Sequence, residues 1–201
     1  MVNKDYDKND ENSELEKSQN TKNISNENMG MDVLENQPCP MCHKETLTLR
    51  EMEREIPYFG KCYLFSMDCS NCNYHMADVE TDNDGKPVKY TLEIESENDL
   101  NIRVVKSSQA TIKIPHLIEI TPGPISNGYV TNVEGILNRV KKVIEDLKDD
   151  DDPSVQKKAK NQLKKIQRIL WGREKATLII SDPSGNSAIV SEKAKKEIGK
   201  K

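Results

Sequence analysis

Two C-x-x-C pairs, Cys39-Pro40-Met41-Cys42 and Cys69-Ser70-Asn71-Cys72, constrain this chain more than any other feature; 26 residues separate the inner cysteines. A pair of thiolates three positions apart grips one side of a metal ion, and two such pairs close a tetrahedron around a single Zn²⁺. Soft thiolates favour zinc over hard cations, and a closed four-sulfur set leaves no coordination position for substrate. The spacing therefore predicts one structural Zn²⁺ held by Cys39, Cys42, Cys69 and Cys72 in a zinc ribbon. His43 and His75 lie beside the pairs, so a mixed Cys/His set is the alternative, with four paired cysteines the simpler one. Cys62 has no C-x-x-C partner and reads as a small core residue.

Disulfides and redox chemistry are the competing uses of paired cysteines. The chain begins with no apolar leader segment and has no stretch of ~18 apolar residues, so neither secretion nor a membrane span is expected. That points to a reducing, cytoplasmic setting, where thiols bind metal rather than pair covalently. A thioredoxin-type motif wants one C-x-x-C opening a helix after a strand, and neither pair here does so.

Charge and apolar residues are grouped. Residues 1–37 carry a net charge of −5 against −4 for the whole chain, and hold few apolar residues. Such a segment buries too little to offset its ordering entropy, and is expected to be a disordered acidic tail. Residues 38–80 read as the ribbon, with strands near Thr46–Leu49 and Tyr63–Met67 and a turn at Pro57 to Gly60. A segment of about 45 residues has too small a core to fold unaided, so metal must supply the deficit. His43 and Asn73, each following a second cysteine, suit the positive-φ positions of tight turns.

From residue 81 to 190 the pattern becomes that of short strands, a sandwich or barrel. Val88, Tyr90, Leu92 and Ile94 alternate with polar residues, and Ile102–Val104, Ile112–Ile114 and Ile118–Ile120 continue. Thr177–Ile180 and Ala188–Val190, flanking Asp182-Pro183-Ser184-Gly185-Asn186-Ser187, are expected to form a late strand pair. A helical hairpin at about 131–171 interrupts the strands. Thr131 to Glu134 matches a capping box, followed by a stripe of Val133, Ile136, Leu137, Val140, Val143, Ile144 and Leu147. Asp152 and Pro153 open a second helix with Val155, Ala159, Leu163, Ile166 and Leu170 along one side. Gly135 inside the first helix suggests a close contact. Residues 191–201 read as a frayed, charged tail.

Taken together, Cys39-Pro-x-Cys42, Ile56-Pro57-Tyr58-Phe59, Ser66-Met67-x-Cys69-x-x-Cys72-Asn73-Tyr74, Gly123-Pro124-x-Ser126, the Thr131–Leu137 stretch and Asp182–Ser187 resemble the ZPR-type zinc finger family over about residues 38–190. The resemblance implies a mainly β (α+β) fold: a four-cysteine zinc ribbon followed by a double-stranded β-helix-like domain carrying an αα-hairpin. Eukaryotic members have two such modules; this chain has one, as shorter archaeal members do. Asn73 stands where glycine is usual. The resemblance also implies binding to translation elongation factor one-alpha, a translation GTPase, and assistance in its folding.

Three function classes follow. The first is a protein-binding module contacting its partner through the ribbon tip, residues Ile56 to Lys61, with Tyr58, Phe59 and Lys61 as candidate contacts. Five of the nine aromatic residues lie in the ribbon, and aromatics anchor interface centres. The second is nucleic-acid binding by the basic stretch 154–175, which carries eight Lys or Arg and one Glu. The third is an enzyme built in the β domain; no phosphate-binding loop, nucleophile elbow or H-E-x-x-H motif names a catalytic residue, and the chain is read as non-enzymatic.

Overall fold

Between the cysteine pairs nothing interrupts β structure until Pro57, and the chain runs as a long hairpin. The computed structural model describes residues 30–82, 84–149 and 151–199. Strands β1 (Met31–Pro38), β2 (Glu45–Ile56), β3 (Gly60–Cys69) and β4 (His75–Thr81) form an antiparallel sheet in that order. The turn between β2 and β3 holds Tyr58 at φ 65° and Gly60 at φ 106°. Strand β1 corrects the expected tail boundary: Met31 to Leu34 pair with β2, Met31 opposite Met52 and Leu34 opposite Leu49, and after a register shift Gln37 lies opposite Leu47. A polar average over 1–37 hides the short alternation of Met31 and Val33, and β1 satisfies the outer backbone groups of β2. The rest of the predicted tail, residues 1–29, lies outside the described residues.

The second domain stacks two antiparallel sheets. One contains β12 (Lys195–Ile198), β5 (Val88–Ile94), β10 (Ala176–Asp182), β7 (Thr111–Ile114) and β8 (Ile118–Ile120), in that spatial order. The other runs β11 (Ala188–Val190), β6 (Arg103–Lys106), β9 (Tyr129–Asn132). Alternating Val88, Tyr90, Leu92 and Ile94 face inward as their period demands. They share a core with Ile112, Ile114, Leu178 and Ile180 of their own sheet and Val104 and Ile189 of the other.

Two expectations fail here. β10 and β11 do not pair with each other; β10 lies between β5 and β7, and β11 borders β6. The loop between them crosses from one sheet to the other, a connection that strand patterning cannot distinguish from a hairpin. The charged end is not wholly frayed either, since β12 pairs with β5 from Lys195 opposite Thr91 to Ile198 opposite Val88. Lysines suit such an edge strand because they discourage further strand addition.

Helices α1 (Val133–Asp146) and α2 (Pro153–Leu170) form the expected hairpin. Asp152 caps α2 by accepting from Ser154 N at 2.7 Å, with Pro153 in the first turn. The α1 cap is Asn132 rather than Thr131: its Oδ1 accepts from Gly135 N at 2.8 Å. Thr131 is committed to β9, and a Cβ at Gly135 would collide with Thr131 Oγ1 and lie 3.2 Å from Asn132 Oδ1. The α1 stripe buries Val133, Ile136, Leu137, Val140 and Ile144, while Val143 and Leu147 are exposed. In α2 the buried set is Ala159, Ile166 and Ile169.

Ribbon and sandwich meet along one face and one edge. Ile56, Cys62 and Val79 of the ribbon bury against Val105, with Phe59, Leu64, Val130 and Val190 around them. At the β4 edge, Ala77 N donates to Asn127 Oδ1 at 2.9 Å and Gly128 N donates to Ala77 O at 2.8 Å. A Cβ on Gly128 would sit 2.8 Å from Val79 N, closer than unstrained packing allows, so the backbones approach only because this residue has no side chain.

Candidate metal centre

Each cysteine pair folds into a knuckle by the same local rule. Cys39 O accepts from His43 N at 2.9 Å, and Cys69 O accepts from Asn73 N at 3.0 Å. Cys39 N then donates to Lys44 O, and Cys69 N to Tyr74 O, both at 2.9 Å. The tight turn puts His43 at φ 59° and Asn73 at φ 56°, a region His and Asn tolerate better than most residues. Two knuckles with one geometry thus present four sulfurs to a common point.

The sulfurs interlock across the knuckles. Cys39 Sγ lies 3.7 Å from Cys72 Sγ, and Cys42 Sγ lies 3.7 Å from Cys69 Sγ. All four lie within 4.8 Å of one another. Sulfurs about 2.3 Å from a tetrahedral ion are about 3.8 Å apart, whereas a disulfide needs about 2.05 Å. The spacing fits zinc ligation and excludes covalent pairs.

Neighbouring donors tune the thiolates. The Thr46 hydroxyl, 3.2 Å from Cys69 Sγ, leads in pulling that thiol down to about 6. A hydrogen bond from the Lys44 backbone N–H leads in lowering Cys42. At Cys72 the Tyr74 backbone N–H acts downward, but burial and the three other sulfurs outweigh it and push the thiol up to about 12. Four crowded sulfurs cannot all ionise alone; a divalent cation at their centre removes that conflict and, when bound, ties the two knuckles into one unit. Met41 N, 3.4 Å from Cys39 Sγ, is positioned to offset sulfur charge. Lys44 Nζ donates to Asn71 Oδ1 at 2.9 Å across the knuckles. Thr46 and Lys44 were not singled out from sequence; their positions just after the first pair were the available signal. Burial pushes Cys62 up to about 11, which suits an inert core thiol. His75 turns instead to Asp68, Nδ1 to Oδ1 at 2.7 Å.

Family models agree with both halves. The ZPR1 zinc-finger domain matches residues 32–84 and the ZPR1 jelly-roll domain matches residues 98–200. The chain belongs to the ZPR1 family. A ZPR1-like protein of Methanocaldococcus jannaschii is 43% identical over 171 residues, covering 84% of this chain and 86% of that protein. Another, from Pyrococcus horikoshii, is 38% identical over 163 residues, covering 78% and 73%. A protein of Schizosaccharomyces pombe named zinc finger chaperone is 30% identical over 159 residues, 75% of this chain but 33% of that longer protein. The zinc-finger match begins at residue 32, within β1.

Other residues that carry the ZPR1 resemblance fall where ribbon and jelly roll join. Asp182, buried, accepts from Ser107 Oγ at 2.8 Å and Ser187 Oγ at 2.6 Å through one oxygen. Its other oxygen accepts from Ser184 N at 2.8 Å and Ser184 Oγ at 2.7 Å. Burial acts to raise Asp182, but these hydrogen bonds outweigh it and hold the carboxyl below its ordinary range. Asn186 Oδ1 accepts from Thr81 N at 3.1 Å, bonding the loop to the ribbon. Nearby Lys106 is buried and its ammonium, lowered by burial, donates to Ser107 O at 2.9 Å and Asn127 O at 3.3 Å. The motif is thus a joint built of fully partnered polar groups.

The candidate partner contacts separate. Tyr58 is fully exposed, and Lys61 is exposed with its Nζ 2.8 Å from Glu53 Oε1. Phe59, expected to be exposed, instead packs against the jelly roll, and Ile56 beside it is buried. The tip is a docking element within the chain, because its apolar residues lie on the face that meets β6, β9 and β11.

No helix among the described residues is long and apolar enough to cross a membrane.

Proposed function

We propose that this chain is a non-enzymatic folding factor that holds one Zn²⁺ and uses its ribbon to bind a client protein, with a translation GTPase of the elongation factor one-alpha type as the candidate client. The observation that carries the reading is the joint presence of a four-sulfur site with tetrahedral spacing and likeness over most of the chain to a protein named zinc finger chaperone. Zinc makes the knuckle end rigid, so a client meets a preformed surface and less ordering entropy is lost on binding. The test is refolding of purified archaeal elongation factor one-alpha with zinc-loaded protein and with Cys69→Ser. Higher yield with the loaded protein alone supports the reading; equal yield with and without it overturns it. Metal analysis should give one zinc per chain.

A second reading rests on a separate place. Lys157, Lys158 and Lys165 of α2 join His116, Ser154 and Asn161 around a cleft of about 460 Å³, and no carboxylate is among its lining residues. Such a wall suits phosphate groups, and this reading makes the protein a nucleic-acid binder. A salt titration against RNA discriminates: affinity independent of salt, or absent, dismisses it.

A further inference from the structure

The ribbon sheet has two chemically different faces. One carries Ile56, Cys62, Leu64 and Val79 onto the jelly roll. On the other, the strand register lines up Leu34, Leu49, Met67 and Met76 in a single row across all four strands: Leu34 opposes Leu49, Leu49 opposes Met67, and Met67 opposes Met76. Leu34 is 38% exposed and Met76 39%, with Leu49 and Met67 half-buried between them. Phe65 and Tyr63, half-buried on β3, follow on the same face away from the knuckles. None of these six residues belongs to a cluster shared with the jelly roll; Leu49 and Met67 pack toward the knuckle cluster instead.

Charge on that face has one dominant sign. Asp32 opposes Glu51, Glu53 lies opposite Tyr63 and pairs with Lys61 of the same face at 2.8 Å, and Glu80 flanks Tyr63 on β4; all four acids are exposed, and Lys61 is the one cation set among them on β3. The opposite face carries the arginines, Arg50 and Arg54, in alternation with these acids. Apolar strips rimmed by charge mark interaction sites, and methionines favour adaptable ones.

We propose that this row is a docking strip for a partner protein's segment that alternates or clusters apolar side chains with lysine or arginine. The occupant is argued from charge. A second copy of this chain would bring acid against acid across a two-fold interface. The chain's own residues 1–29 are acidic in balance and contain few apolar side chains, so they match neither the row nor its rim. A basic, apolar segment matches both. The strip deepens the folding-factor reading and rests on it, since it names the surface through which a client is held.

The test uses full-length, zinc-loaded protein and three fluorescein-labelled peptides of about twelve residues: alternating Leu/Lys, Ser/Lys and Leu/Glu. Methionine-methyl NMR reads the site. The Leu/Lys peptide is expected to shift Met67 and Met76 while leaving Met52, on the opposite face, unmoved. It should bind at least about tenfold tighter than the other two. Met67→Ser should weaken it about tenfold, with zinc content as the check on folding. Glu51→Lys, a surface change that spares packing, should reverse the preference between Leu/Lys and Leu/Glu. Unmoved Met67 and Met76 signals, or equal binding of the Ser/Lys peptide, overturn the proposal. Concentration-dependent Met67 shifts without peptide would give the strip to a second copy, and shifts on deleting residues 1–29 would give it to the chain's own tail; either overturns it. Peptide binding without refolding activity removes the folding-factor reading alone, whereas refolding without peptide binding removes the strip alone.

Discussion

Ribbon and jelly roll reach order by different physics. The jelly roll and its hairpin bury a continuous cluster that includes Leu92, Ile136, Leu137, Ile166 and Leu178, all fully enclosed. The ribbon has two small clusters, one of them built around Cys39 and Cys69 themselves. Burial at roughly 25 cal/mol per Å² of apolar surface accumulates in the first region and falls short in the second. What the ribbon lacks in core it gains from an ion and from the joint with its neighbour, so one chain contains a metal-held half and a burial-held half.

The largest effect that would expose this difference is loss of the ion. Structural zinc contributes on the order of 10–16 kcal/mol apparent in small modules. Chelation or Cys69→Ser should abolish amide protection in β2 and β3 while β5, β10 and α1 keep theirs, as read by hydrogen exchange. Simultaneous loss in both halves would show that the joint makes them one cooperative unit. The converse perturbation is Leu137→Ala, which removes a fully buried side chain and should cost about 2–5 kcal/mol in denaturant unfolding. Zinc content should not change.

The joint itself supplies the next test. Asp182→Asn replaces a carboxylate that accepts four hydrogen bonds and should cost about 1–3 kcal/mol. Because the folded carboxyl lies below its ordinary value, its stabilisation is complete above the unfolded pKa of about 3.9 and fades as pH falls through the folded value. Thermal scans from neutral pH to below about 4 should therefore show a steeper acid decline for the native chain than for Asp182→Asn. Zinc release should occur at higher pH than this decline, since protons compete directly for the thiolates. The smallest effect is expected at the α1 cap. Asn132→Ala should cost about 1 kcal/mol, measured by denaturant midpoint, with the ribbon unaffected.

Legibility differed between the halves for the same reason. The metal centre could be read because its ligands come as two local motifs whose chemistry is set within four residues. Positive φ at His43 and Asn73 followed from the same local logic. The second domain's strands were visible in the alternation of Val88 to Ile94, but their partners were not, and β10 and β11 were expected to pair when each belongs to a different sheet. Phe59 was misread because an aromatic after a turn looks exposed until the surface it meets is known. β1 and β12 were missed because both are rich in polar residues, and their order comes from the strands they join.

The amino-acid sequence by itself determined the two cysteine pairs with their knuckle turns, the two helices and the mainly β class, since each depends on side chains within a few positions of one another; the β2–β3 hairpin then brings Cys39 to Cys72 and Cys42 to Cys69. Tertiary structure alone decided the joint of Gly128 against β4, the packing of half-buried Phe59 against the jelly roll and the apolar row from Leu34 to Met76. Those features need strands far apart in the chain to take one register, and a register is a property of the assembled sheet.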